Sequence, residues 1–161
     1  MIDFNAGVIS FSVSWDALQA AGTFFAAGIA WFQISSFKRQ QKGWETLKAC
    51  ERYESDPILD SCLRTIREVR KADGGLPAGA HSVSLDIITI LNYLDGLAIG
   101  VRQGFYDAKI VRDHLEPVIR FHVDEFLDAD VARLLRIKES DFRLLRDLVK
   151  EWDLPATHFG G

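Results

Sequence analysis

The side chains most able to do chemistry lie in the second half of the chain. His114 and His122, with Glu116, Asp124 and Glu125 nearby, are residue types that hold a divalent metal. Their spacing fits no helix-borne site, such as histidines at i and i+4, so a solvated helix face of mixed charge is the reading they support. Gly74-Gly75 lacks the Lys-Ser/Thr that completes a phosphate loop and is read as a turn. No serine sits in a nucleophile elbow. Cys50 and Cys62 match no metal or redox spacing and fit a reducing compartment. No enzymatic activity, metal or cofactor is expected.

Asn92, Asp95 and Arg120 differ, because Asn92 and Asp95 fall in a run assigned below to the core. A buried carboxylate must be paired or neutral. Arg120 is the candidate partner, and the three form an expected buried polar cluster. A structural ion pair that sets helix register is favoured there over catalysis.

The elements that must position these residues begin with an uneven charge distribution. Residues 1–37 contain no lysine or arginine and two acids, Asp3 and Asp16; all 19 basic residues follow. The remainder is a mixed-charge surface without the clustered basic face that nucleic acid requires. Ala17 to Phe37 carries no formal charge and matches the roughly 20 residues needed to span a bilayer core. Lys38, Arg39 and Lys42 follow at once, the positive-inside pattern, placing the N-terminus outside and the rest in the cytoplasm of a bacterial inner membrane. Trp15 and Trp31 suit the interfaces, and Ser14 is the expected N-cap with Asp16 in the first turn. A signal peptide fits poorly, because the basic n-region is missing.

The polar residues of this stretch follow a pattern. At 100° per residue Gln19, Gly22, Thr23, Ala26, Ala30 and Gln33 share one stripe, and Gly22, Ala26 and Ala30 make a small-xxx-small ladder. Self-association through that stripe, or a wet lumen along it, is expected. The rival reading is a soluble or peripheral helical adaptor whose first helix a partner protein buries. Ahead of the stretch, Ile9, Phe11, Val13 and Trp15 alternate with serines, a strand signal that needs a partner strand or a membrane surface.

Beyond residue 38 the pattern is helical. The first helix continues through Trp44, Leu47 and Cys50, read as one inward side, with Gly43 weakening it. Ser55 or Asp56 caps a second helix that starts at Pro57 and runs to about Ala72, with Leu59, Cys62, Leu63, Ile66 and Val69 inward. Asp73–Ser82 is a loop. A third helix, about Ser84 to Gln103, is apolar on nearly every side and is read as the core, ended by Gly104. Asp107 caps a fourth, in which Pro117 predicts a kink or break. A short segment near 130–137 leads to a last helix capped by Ser140, with Phe142, Leu145, Leu148, Val149 and Trp152 on its apolar face. The expected fold is therefore all-α: an extracytoplasmic tail (1–16), a transmembrane helix (17–37), a cytoplasmic bundle of about four to five helices (38–154) and a loose tail (155–161).

The run Ile90–Phe126 resembles a bacterial family catalogued as domain of unknown function 4760. Asn92, Tyr93, Asp95, Ala98–Gly100, Asp107 and Arg120 carry the likeness, and Glu51–Pro57 is similar to a second stretch of that family. His122 departs from it, standing where an aromatic is expected. The resemblance implies one N-terminal transmembrane helix and no established chemistry. A looser, architectural similarity is to small pore-forming membrane proteins that accompany type VI CRISPR systems. The Arg-then-His spacing of the related ribonuclease folds is absent here, so nuclease activity is not expected. The function expected is a self-associating single-pass membrane protein, a scaffold or gated pore in phage defence or stress response. Its partners would be the bilayer, further copies of itself, and another protein on the bundle.

Overall fold

The computed structural model describes residues 2–6, 9–13, 15–72 and 81–153. Ser14 as a cap, most of the 73–82 loop and the tail after Pro155 lie outside the described residues. The chain divides into two compact units, Met1–Gln41 and Lys42–Gly161.

The first unit opens with a hairpin. β1 (Ile2–Ala6) pairs antiparallel with β2 (Ile9–Val13), Ile2 opposite Val13 and Phe4 opposite Phe11. The strand expected over residues 9–15 thus finds its partner in the residues just before it, which carry the same alternation in Ile2, Phe4 and Ala6. Helix α1 (Trp15–Ser55) follows as one element of 41 residues. From Gly22 to Ser35 every residue is exposed. Thr23 and Ser35 turn their hydroxyls back on the helix, Thr23 donating to the Gln19 carbonyl at 2.9 Å and Ser35 to that of Trp31 at 2.7 Å.

Among the described residues the elements of the second unit are helices: the end of α1, then α2 (Pro57–Ala72), α3 (Ser84–Arg102), α4 (Ala108–Phe126), α5 (Ala129–Leu134) and α6 (Arg143–Asp153). With α1, six helices lie among the described residues. The local start signals operate as physics requires. Asp56 accepts the Ile58 N–H at 2.9 Å ahead of Pro57. Asp107 accepts from Lys109 and Ile110 N–H at 2.9 and 3.2 Å. Gly104, at φ +77°, closes α3: its N–H meets the Val101 carbonyl and that of Phe105 meets the Gly100 carbonyl. These are the two bonds of a Schellman ending, which favours glycine because the left-handed residue carries no Cβ.

Helix α3 is the core. Ile87, Ile90, Leu91 and Leu94 are fully buried, and α2, α4 and α6 pack around it. By length and composition α3 is also the described helix apolar enough to cross a membrane. Its burial against three other helices explains that apolarity without a bilayer. Each large aliphatic side chain buried there contributes about 1.5–3 kcal/mol.

Several expectations need correction. Trp44 is exposed; the inward residues of this part of α1 are Thr46, Cys50 and Tyr53, with Leu47 half-buried. Pro117 does not break α4, which runs through it. The proline is exposed, while Val111, Leu115, Ile119 and Phe126 are buried on both sides of it, so packing holds the two halves in one helix despite the missing N–H. Ser140 does not cap the last helix, which begins three residues later at Arg143. The chain enters it through Phe142 at φ 56°, and the Leu145 N–H finds another acceptor.

Candidate functional site

The acceptor at the start of α6 is Asp95, which takes the Leu145 N–H at 3.2 Å from its place on α3. An anion there faces the positive end of the helix dipole. Burial holds the carboxyl of Asp95 above its ordinary pKa, and the Leu145 N–H acts against that rise. At the other end of α6, Arg112 donates to the Trp152 carbonyl at 3.1 Å and Arg120 bridges Asp153 at 2.8 Å. Both arginines also hold Glu116, whose carboxyl sits below its usual range because Arg112 donates to it. The expected cluster of Asn92, Asp95 and Arg120 is therefore not assembled. Asn92 is exposed, Asp95 is half-buried at one end of α6, and Arg120 is half-buried at the other. Within the Asn-Tyr-x-Asp pattern, Tyr93 donates its hydroxyl to the Ala49 carbonyl of α1, and Asp95 caps α6.

The stripe residues of α1 are exposed at each position from Gly22 to Gln33, and Gln19 is exposed too. A Cβ placed at Gly22 would meet nothing within 4 Å. The flanking cations Lys38 and Arg39 are exposed and Lys42 is half-buried.

A solvated helix face is the expectation for His122. It is buried, at 4% exposure. Its Nε2 and the Tyr53 hydroxyl share a hydrogen bond of 2.6 Å, and its ring stacks on Phe126 at 5.0 Å between centroids. It thus fills an aromatic slot, consistent with the aromatic expected there. Burial depresses its pKa to about 4, so the imidazole is neutral near pH 7, and burial raises that of Tyr53 to about 12. The Nδ1 atom is buried without a hydrogen-bond partner. His114, by contrast, is exposed. Among the described residues no group of three His, Cys, Asp or Glu side chains could hold a metal ion.

Tyr53 and His122 form part of the wall of a cleft of about 520 Å³ bounded by α1, α2 and α4. Its apolar wall is Leu63, Pro117, Val118 and Phe121; its charged residues are Glu54, Asp60 and Arg67. Mostly apolar lining, a few convergent polar groups and perturbed titratable residues are the attributes of a small-molecule site. The cleft was not legible in the sequence. Tyr53 and His122 are 69 positions apart, and no local signal joins them.

The family described as "Domain of unknown function (DUF4760)" matches residues 20–152. No curated protein and no solved structure matches the chain.

Proposed function

The chain belongs to the DUF4760 family, and from that footing we propose that it is a single-pass membrane protein of the bacterial inner membrane that self-associates through the first part of α1 and acts as a non-enzymatic scaffold. One observation carries this reading. Phe24, Phe25, Trp31, Phe32 and Phe37 are 79, 73, 76, 71 and 66% exposed, and Ile29 and Ile34 are exposed beside them. Together they ring most of the helix circumference.

In water such a surface forfeits about 1.5–3 kcal/mol for each large side chain, and a contiguous apolar patch of this size marks a membrane or partner contact. A bilayer covers it on all sides. The hydroxyls of Thr23 and Ser35, satisfied within their own helix, suit that medium, where no water replaces a lost partner. The three cations after Phe37 orient the bundle toward the cytoplasm. The stripe of small and amide residues supplies the helix contact, because close packing drives association in lipid. A gated pore lined by Gln19 and Gln33 is the finer form of the same proposal.

Fractionation tests it. The untagged protein is expected in the membrane pellet after high-salt and alkaline washes, and in solution after detergent. Recovery in the high-salt supernatant without detergent would overturn the membrane reading in favour of an adaptor whose first helix a partner covers.

A further inference from the structure

The core helix α3 keeps one apolar row outside the core. Ile87, Ile90, Leu91 and Leu94 are buried where α2, α4 and α6 pack. Leu85, by contrast, is 78% exposed, Asn92 and Gly96 are exposed, and Ile88 and Ile99 are half-buried. Leu85, Asn92 and Ile99 recur every seven residues, and Ile88 follows Leu85 by three. Seven residues are close to two helical turns, so these side chains share one face. Packing against α2, α4 and α6 does not account for the apolarity of that face. Its spacing is that of the inner positions of a coiled-coil heptad, with a single asparagine among aliphatic residues. An asparagine there fixes register between paired helices at a cost in stability, and its amide both donates and accepts, so it can bond to its own counterpart. The inner position after it, Asp95, is already engaged by the Leu145 N–H.

Gly96, one turn beyond Asn92, belongs to the same face. Glycine inside a helix is destabilising relative to alanine, and a Cβ added at Gly96 would meet nothing within 4 Å. The packing of its own chain has no use for the missing side chain; a second backbone approaching from outside does. Two grooves flank Asn92. One, of about 450 Å³, lies toward α1 and carries Glu45, Lys48 and Arg52; the other, of about 390 Å³, lies toward the connection between α5 and α6 and carries Asp95, Arg136 and Asp141. Bases outnumber acids in the first groove, and acids outnumber bases in the second. Lys48 and Arg52 hold exposed pairs with Glu45 and Asp56, which are weak in water and leave both cations open to a partner. A twofold axis along α3 sets the first groove of one copy against the second groove of another. An antiparallel pairing would set like against like.

We infer that the open face of α3 is a contact between two copies of this chain, α3 packing in parallel on α3 about a twofold axis, with Leu85, Asn92 and Ile99 on the seam and Gly96 admitting the close approach. Every residue it uses lies in the second unit, so the contact is separate from the one proposed for the first part of α1 and does not depend on a membrane.

The test is oxidative cross-linking of the purified full chain in mild nonionic detergent. Cys50 and Cys62 are buried, so the wild type supplies the background. Asn92→Cys is expected to form a disulfide-linked dimer about tenfold faster than Arg64→Cys, which puts an equally exposed cysteine on α2. Adding Gly96→Leu, which meets no obstacle in its own chain, is expected to slow the Asn92→Cys link about tenfold, whereas adding Gly22→Leu leaves it in place. The charges are tested in the same background. Lys48→Glu copies and Asp141→Lys copies are each expected to link slowly among themselves and about fivefold faster with one another, the mixed dimer being told apart by a size tag on one of them. Equal rates at Asn92→Cys and Arg64→Cys, a rate unchanged by Gly96→Leu, or no gain on mixing overturns the inference. A link lost with Gly22→Leu but kept with Gly96→Leu assigns the proximity to α1 and overturns it as well.

Discussion

Asp95 and Arg120 hold opposite ends of the same helix. Asp95 accepts the Leu145 N–H in the first turn of α6 at 3.2 Å, and Arg120 bridges Asp153, its last residue, at 2.8 Å. The anion lies at the positive end of the helix dipole. The cation lies at the negative end, where Arg112 also meets the Trp152 carbonyl. An 11-residue helix is marginal by itself; side chains from α3 and α4 supply its end partners, and Leu145, Leu148, Val149 and Trp152 supply its buried face.

This separation changes what substitution does. Asp95→Ala removes a cap rather than half of a buried ion pair, so the expected cost is about 1 kcal/mol, within a range of about 0.5–2, and not the 3–5 kcal/mol of an orphaned buried charge. Asp95→Asn keeps an acceptor and is expected to lie near wild type. Arg120→Ala loses half-exposed bridges to Glu116 and Asp153 and is expected to shift the melting temperature little. Thermal melts of the full chain check all three. Strongly non-additive effects of Asp95→Ala and Arg120→Ala in a double-mutant cycle would contradict the separation.

His122 makes folding sensitive to acid. Its pKa falls from 6.5 to about 4 on burial. The unfolded chain thus binds the proton more readily than the folded one, and stability drops as the pH falls from 6.5 toward 4. Above that window the group contributes no pH dependence; at and below its lower end the accumulated loss is on the order of 3 kcal/mol. The half-buried carboxyls of Asp95 and Glu125, both raised by burial, work in the opposite direction. The comparison with His122→Phe isolates the histidine. Phenylalanine retains the stack on Phe126 and carries no proton. Urea unfolding at pH 7 and pH 4.5 is expected to show a smaller drop in the variant than in wild type. Equal drops would count against a buried neutral imidazole.

Two glycines of α3 have opposite expectations. A Cβ at Gly100 would stand 2.2 Å from Cδ2 of the Tyr106 ring, whereas at Gly96 it would meet nothing within 4 Å. Gly100→Ala must push Tyr106 aside and is expected to cost about 1–3 kcal/mol. Gly96→Ala adds a helix-favouring residue in open space and is expected to stabilise by up to about 1 kcal/mol. Denaturant midpoints read both. A neutral Gly100→Ala would mean that the ring moves away without loss.

The stripe of α1 permits a test of association. Gly22 has no intrachain neighbour within 4 Å of an added Cβ, so a larger side chain there meets no obstacle inside its own chain. Gly22→Leu and Ala26→Leu are expected to reduce oligomer size in mild detergent, and Phe24→Leu, away from the stripe, to leave it unchanged. If Gln19 and Gln33 line a lumen, replacing both with leucine keeps assembly and abolishes ion leak in liposomes; if they bond across a dry interface, assembly weakens. A chain that is monomeric under all these conditions would reduce the segment to an anchor.

Much of the helical layout is written in the sequence by itself. The Asp56-Pro57 start, the Asp107 cap and the Gly104 ending each act through groups within a few residues, so their geometry follows from local backbone chemistry. The all-round apolarity of α3 likewise marks it as central before any contact is known. The alternation over Ile9–Val13 shows a strand, and the same alternation in Ile2, Phe4 and Ala6 shows its partner once the hairpin is considered. Tertiary structure decided the remainder. Pro117 is tolerated because packing on both sides outweighs a lost bond. Ser140 has the right chemistry for a cap, but Phe142 and Asp95 set the entry to α6. Charge alone pairs Asp95 with Arg120, but their partners are the Leu145 N–H and the acids Glu116 and Asp153. His122 reads as one polar residue among many on a mixed-charge helix; the packing of α4 buries it as a neutral ring and brings it to a tyrosine 69 positions earlier at the wall of a cleft. A side chain's partner is set by which helices the core brings together, and nothing within a few residues of His122 encodes that.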